Sequence, residues 1–233
     1  MKLPPATASL LIDCPKLQSF VPDEYDVAVA DIMVDWREAE SADVALLGIP
    51  FDTAVSGRRG CKDGPNSIRS ALVFSNVYEP GLDVDLSKGF SVTDFGNVDV
   101  LYTDVLGTHE RVETVVTDIV KLGLTPLILG GDHSLAYPDI KGLMNNVDGK
   151  IGVINIDAHL DVRHSHHGEV SSGTPFRRLI DDPSGKLDPK NFVEFGINSW
   201  LNSRYYMDYC RDLGVSVITA RELHLNGILP AIK

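Results

Sequence analysis

Asp157, His159 and Asp161 occupy every second position of the stretch INIDAHLDVRH, residues 154–164. Carboxylate and imidazole groups at that spacing are oxygen and nitrogen donors for a divalent cation. Three ionisable groups at the end of an apolar run are costly to desolvate unless they are paired or bound to metal. If the backbone stays extended past the apolar half, all three point to one side, because strand side chains alternate. A second run, LILGGDHS, ends in Gly130, Gly131, Asp132 and His133. Taken alone it reads as a turn that opens a helix, with Asp132 or Ser134 as N-cap. Beside the first stretch it offers His133 as a further ligand. A donor set without thiolate suits manganese, or another borderline divalent ion, better than structural zinc. His164, His166 and His167 in RHSHHGEVSS read as solvated loop residues, near enough to the site for one to carry a proton.

The elements that must position these residues alternate along the chain. DVALLGIPF (43–51), GFSVTDFGNVDV (89–100), TPLILGG (125–131), KIGVINIDA (150–158), NFVEFGI (191–197) and VSVITA (215–220) read as strands. Between them, Val112, Val115, Val116 and Ile119 follow helical spacing in the segment 103–123, with Gly123 placed to cap its end. Segments 134–146 and 203–214, and one starting at TPFRRLI, also read as helices. Pro65 can set the first turn of a helix after the glycine loop 52–72, and Pro230 kinks or stops the last one. Apolar strands alternating with helices predict a parallel sheet covered on both faces. In such sheets ligands bind beyond the carboxyl ends of the strands, where GGDH and DAHLD fall. Residues 1–40, with prolines at 4, 5, 15 and 22, read as an irregular arm on a single domain spanning 1–233.

Composition narrows the function. A formal net charge of −12, with no Lys/Arg cluster, argues against nucleic acid and anionic membrane as partners. Cys14, Cys61 and Cys210 are odd in number and widely spaced, which fits a reducing compartment better than a disulfide framework. The N-terminus lacks a long apolar signal region and no stretch is long enough to span a bilayer, so a cytoplasmic protein is expected.

GGDHS followed by DAHLD resembles the first two metal motifs of the ureohydrolase family, the arginases, agmatinases and their relatives. GIPFDTAVSGRRGCKDGPNSIR resembles the family's N-terminal glycine loop, and SSGTPFRRL its segment after the second motif. The resemblance runs over about residues 43–220. It implies a three-layer α/β/α fold with a mainly parallel sheet and a binuclear Mn2+ centre. It implies that His133 and Asp161 bind one ion, that Asp157 bridges both, and that His159 binds the second. Two cations around one water lower its pKa, and the resulting nucleophile attacks an amidine carbon.

Within the family, DAHLDVR followed by SSGTPFR, with Ser172 where many arginases and agmatinases carry histidine, looks most like the formimidoylglutamase branch, as does GINSWLNSRYY. That branch hydrolyses N-formimidoyl-L-glutamate to L-glutamate and formamide in histidine degradation. A small acidic amidine substrate calls for a cation, and Arg163 is the first candidate, with Ser172 beside it. Arg58, Arg59 and Arg177 are weaker candidates. The resemblance also implies a homo-oligomer. The family's third metal motif, a D-x-D segment on a later strand, has no counterpart after residue 220. The expected fold is therefore C-terminally incomplete, and this form is expected to be nearly inactive. The alternatives are an agmatinase or other guanidino hydrolase, and a catalytically silent metal-binding form.

Overall fold

The computed structural model describes residues 1–16, 25–89, 91–164 and 170–232. Two compact units make up the chain, Met1–Asn146 and Val147–Lys233.

The first unit is built on β1 (Leu11–Ile12), β2 (Met33–Asp35), β3 (Val44–Gly48), β6 (Val92–Val98) and β7 (Thr125–Leu129), with a separate antiparallel hairpin of β4 (Tyr78–Glu79) and β5 (Val84–Asp85). β3 lies between β6 and β7 and pairs with both in parallel. Along its other edge β6 pairs in parallel with β2 at residues 92–94 and antiparallel with β1 at 97–98. The N-terminal segment is thus more than the irregular arm expected. It contains a single helical turn, α1 (Pro5–Ala8), and the two short strands that satisfy the outer N–H and C=O groups of β6. Trp36 follows β2 and stacks on Phe95 of β6 at 5.5 Å, which ties the arm to the core.

Helices cover both faces of this sheet. α3 (Val105–Lys121) is capped by the Asp104 side chain, which accepts from Gly107 N, and is followed by Gly123 at φ 82°. Its Val112, Val115, Val116 and Ile119 are fully buried with Ala45, Leu47, Ile49, Phe95 and Val98. Each such side chain contributes about 1.5–3 kcal/mol by leaving water. The alternate residues of β3 face α2 (Gly64–Ala71): a Cβ on Gly48 would lie 2.6 Å from Arg69 Nη1 and 3.0 Å from Pro65 Cβ. Arg69, 3% exposed, donates to both carboxylate oxygens of Asp94, to Asn97 Oδ1 and to Gly96 O. α4 (Ala136–Met144) packs on α3, with Gly142 against Val116.

The second unit has the parallel order β8 (Ile151–Ile156), β9 (Leu187–Ile197), β10 (Ser216–Thr219). Its helices are α5 (Pro175–Ile180), α6 (Arg204–Leu213), α7 (Ala220–Asn226) and α8 (Leu229–Ile232). Ser203 caps α6, and Thr219 with Glu222 forms a capping box on α7. Gly227 at φ 81° ends α7, and Pro230 falls inside the separate turn α8. The sequence suggested that β8 is buried on both faces, and only half of that holds. Ile151 and Asn155 are buried, whereas Ile154 and Ile156 are 70% and 79% exposed. β8 is an edge strand of its sheet, so one flank and one face are left open among the described residues. No helix among the described residues is long and apolar enough to cross a membrane.

Candidate metal centre

In the first unit His133 follows the carboxyl end of β7. Its loop is clamped against the segment after β3. Asp132 N donates to Phe51 O at 2.8 Å, and Gly131 lies so close that a Cβ there would stand 1.8 Å from the same oxygen. Glycine is required by this approach of two main chains. Asp132, buried, accepts from Ala54 N and Ser134 N, both at 2.9 Å. It is the N-cap of the turn His133–Leu135, one of the two caps the sequence offered. Burial pushes its carboxyl above the usual range, against the hydrogen bonds that lower it. Ser134 Oγ in turn lies 3.1 Å from His109 Nε2 in the core. His133 is thus held by a rigid, buried frame and is itself partly exposed. Asp139, one turn into α4, has a buried Oδ1 without a hydrogen-bond partner among the described residues, and burial raises its carboxyl to about 8 against the pull of His133.

In the second unit the strand ends at Ile156, and the ladder closes with Asp157 N donating to Phe195 O. The backbone then bends, so simple strand alternation does not place the ligands. Asp157 Oδ1 accepts from His159 N at 3.0 Å and lies 3.6 Å from His159 Nδ1. Asp161 adopts φ 45°, a left-handed conformation that costs a residue with a side chain about 1–2 kcal/mol. That turn brings a carboxylate oxygen of Asp161 within 4.8 Å of one of Asp157. The bend is held from outside: Asn202 Oδ1 accepts from Leu160 N and Asn202 Nδ2 donates to Ala158 O. Asp161 O accepts from Phe176 N in the first turn of α5. Leu160 and Val162, both 1% exposed, anchor the segment between the ligands. Two carboxylates this close, with an imidazole beside them and a strained backbone presenting them, fit a hard-to-borderline divalent ion.

Arg163, exposed, lines a small cavity of about 50 Å³ with His159, Asp161, Asn202 and Tyr206. Among the described residues its guanidinium has no ion-pair partner. Arg177 is committed elsewhere, to Asp181 at 2.6 Å and to the face of Tyr209 at 4.3 Å. Arg58 and Arg59 are exposed in the glycine loop of the first unit. Ser172 lies within the turn Ser171–Thr174 that precedes α5. His164 Nε2 sits 2.9 Å from Tyr205 Oη, while His166 and His167 lie outside the described residues. Sequence reasoning missed Asn202 and Asp139. Asn202 acts on a loop 42 residues earlier in the chain, and Asp139 reads as one more polar residue on a helix.

Residues 42–233 match the sequence profile of the arginase family. The chain is 32% identical over 209 residues to a formimidoylglutamase of Halalkalibacterium halodurans, covering 89% of this chain and 64% of that protein. It is 34% identical over 193 residues to a mitochondrial agmatinase of Gallus gallus, covering 82% of this chain and 56% of the relative. It therefore spans less than two thirds of the length of these curated relatives. The crystal structure of formimidoylglutamase from Bacillus subtilis superposes with a TM-score of 0.84 at 28% identity, over 97% of this chain and 69% of that one. A Trypanosoma cruzi formiminoglutamase solved with Mn2+ superposes at 0.80 with 30% identity, over 89% of this chain and 69% of that one.

Proposed function

This chain belongs to the arginase family, and on that premise we propose that it carries the metal-binding part of a manganese-dependent amidine hydrolase acting on N-formimidoyl-L-glutamate. Water adds at the formimidoyl carbon, the bond from that carbon to the glutamate nitrogen breaks, and the nitrogen leaves protonated. The products are formamide and L-glutamate. The observation that carries the reading is the carboxylate pair of Asp157 and Asp161 at the end of a parallel strand, with the guanidinium of Arg163, which has no ion-pair partner among the described residues, on the wall of the adjoining cavity.

The proposed manganese ligands are His133, Asp157, His159 and Asp161. When bound, Mn2+ supplies Lewis acidity and positive charge at the strand end. Asp157 does two things for the site: it offers a carboxylate and, through His159 N, fixes the imidazole that follows it. Arg163 holds the substrate's carboxylate through a charge-assisted hydrogen bond, which also sets the amidine end toward the carboxylate pair. Ser172 lies on the turn beside it and offers a neutral donor where a cationic side chain would compete for the same carboxylate.

A second reading, a hydrolase of cationic guanidino compounds, draws support from the agmatinase similarity. Arg163 opposes it, because a cation beside the site repels a cationic substrate. Product analysis separates the two. Whatever residual turnover manganese-loaded protein shows is expected to be formamide release from formimidoylglutamate, with negligible urea from agmatine. Preferential urea release would overturn the proposal. Manganese affinity with neither activity would favour a catalytically silent metal-binding protein.

A further inference from the structure

Gly173 is ten residues from Arg163 and plays no obvious part in the chemistry. Its φ is not in the left-handed region, so the backbone alone does not demand glycine there. What a side chain would meet is Arg163 itself. A Cβ at Gly173 would lie 2.8 Å from Arg163 Cδ, 3.1 Å from Nε and 3.6 Å from Cγ. The aliphatic part of Arg163 therefore lies down on bare main chain, and its charged head remains exposed.

Neither backbone can retreat. Arg163 N donates to Gly173 O at 2.9 Å, which pins the two segments together. The turn behind Gly173 is closed on itself: Thr174 Oγ1 accepts from Ser171 N and donates to Ser171 O, and Gly173 N donates to Ser171 Oγ. Thr174 is 3% exposed. Two residues further on, Phe176 N donates to Asp161 O. One short turn, 171–176, thus holds both Asp161 and Arg163 by their main chains. It fixes the offset between the carboxylate pair and the guanidinium.

We infer that Gly173 is a positioning and specificity-determining residue: its missing side chain leaves the floor on which Arg163 is aimed at the carboxylate of an acidic substrate. This rests on the reading of Arg163 given above. A β-carbon there would lift the Arg163 stem and swing the guanidinium away, while leaving the metal ligands in place.

The test uses Gly173→Ala, Arg163→Ala and the double variant, with L-glutamate as the probe added to manganese-loaded protein. Titration calorimetry reads glutamate affinity, and thermal unfolding reads integrity. Arg163→Ala is expected to weaken glutamate by about ten- to a hundredfold, the range for one charge-assisted hydrogen bond. Gly173→Ala is expected to lose nearly as much, and to add nothing further in the Arg163→Ala background. If Gly173→Ala proves too unstable to titrate, melting temperature decides. The double variant should then be more stable than Gly173→Ala alone, because removing the arginine stem makes room for the methyl. Wild-type glutamate affinity in Gly173→Ala, with affinity lost in Arg163→Ala, would overturn the inference and leave the substrate reading standing. Failure of Arg163→Ala to rescue an unstable Gly173→Ala would overturn it too. Unchanged affinity in Arg163→Ala would instead remove the substrate reading. The 15N–1H resonance of Arg163 Nε, expected to shift in Gly173→Ala, would then decide the packing inference separately.

Discussion

Replacing Asp161 by glycine should leave the metal-free protein more stable than replacing it by alanine, and both changes remove a proposed manganese ligand. Either substitution takes away the carboxylate and every contact it makes, so the difference between the two reads the backbone. Asp161 sits at φ 45°, and a left-handed residue with a side chain costs about 1–2 kcal/mol. Against this stands the extra flexibility of glycine in the unfolded chain, about 0.5–1 kcal/mol. The main-chain bond from Phe176 N to Asp161 O survives both substitutions. Glycine is expected to exceed alanine by about 0.5–1 kcal/mol, or about 1–4 °C in melting temperature for a chain of this size. Asp161→Asn keeps a side chain that tolerates the left-handed region, so it should fall between alanine and glycine. Urea titration of chelator-treated protein measures the stability. Electron paramagnetic resonance of free Mn2+ measures the affinity, which should drop sharply in all three variants. A metal-free Asp161→Gly no more stable than Asp161→Ala, or one that still binds manganese normally, would refute the argument that this backbone is strained in order to present a ligand.

Two further predictions follow from buried charge. Arg69→Met leaves Asp94 and Asn97 without their partner inside the first unit and should cost about 3–5 kcal/mol, seen as a lower urea midpoint with an unchanged slope; a loss below about 1 kcal/mol would mean the pair is solvated. Asp139, raised to about 8 from 3.8, keeps in the folded state a proton that the unfolded chain has lost, so between those values stability falls as pH rises, by at most about 1.4 kcal/mol per unit. Asp139→Asn should flatten that slope between pH 5 and 8, and parallel profiles for the two proteins would refute the assignment.

Much of this protein could be read from local pattern. The valine spacing of α3, the Gly123 cap, and the apolar runs that become β3, β7 and β8 follow from periodicity and backbone preference, which act over a few residues. So did the location of the ligand candidates, because His133, Asp157 and Asp161 fall where apolar strands give way to polar residues. Their geometry was not local. Alternation suggested that an extended chain aligns Asp157, His159 and Asp161. Instead the chain bends, and Asp161 is held in a left-handed conformation by bonds to Phe176 and by Asn202 acting on the preceding residues. The arm at residues 1–40 looked irregular because two- and three-residue strands carry no periodicity of their own; the open edge of β6 is what orders them. Nor does composition distinguish Ile154 and Ile156, both exposed, from the buried Ile151, since burial depends on what packs over each face. Propensity is a property of neighbours in sequence. Strain, register and the direction of Arg163 over Gly173 are properties of neighbours in space, and only the tertiary structure supplied those.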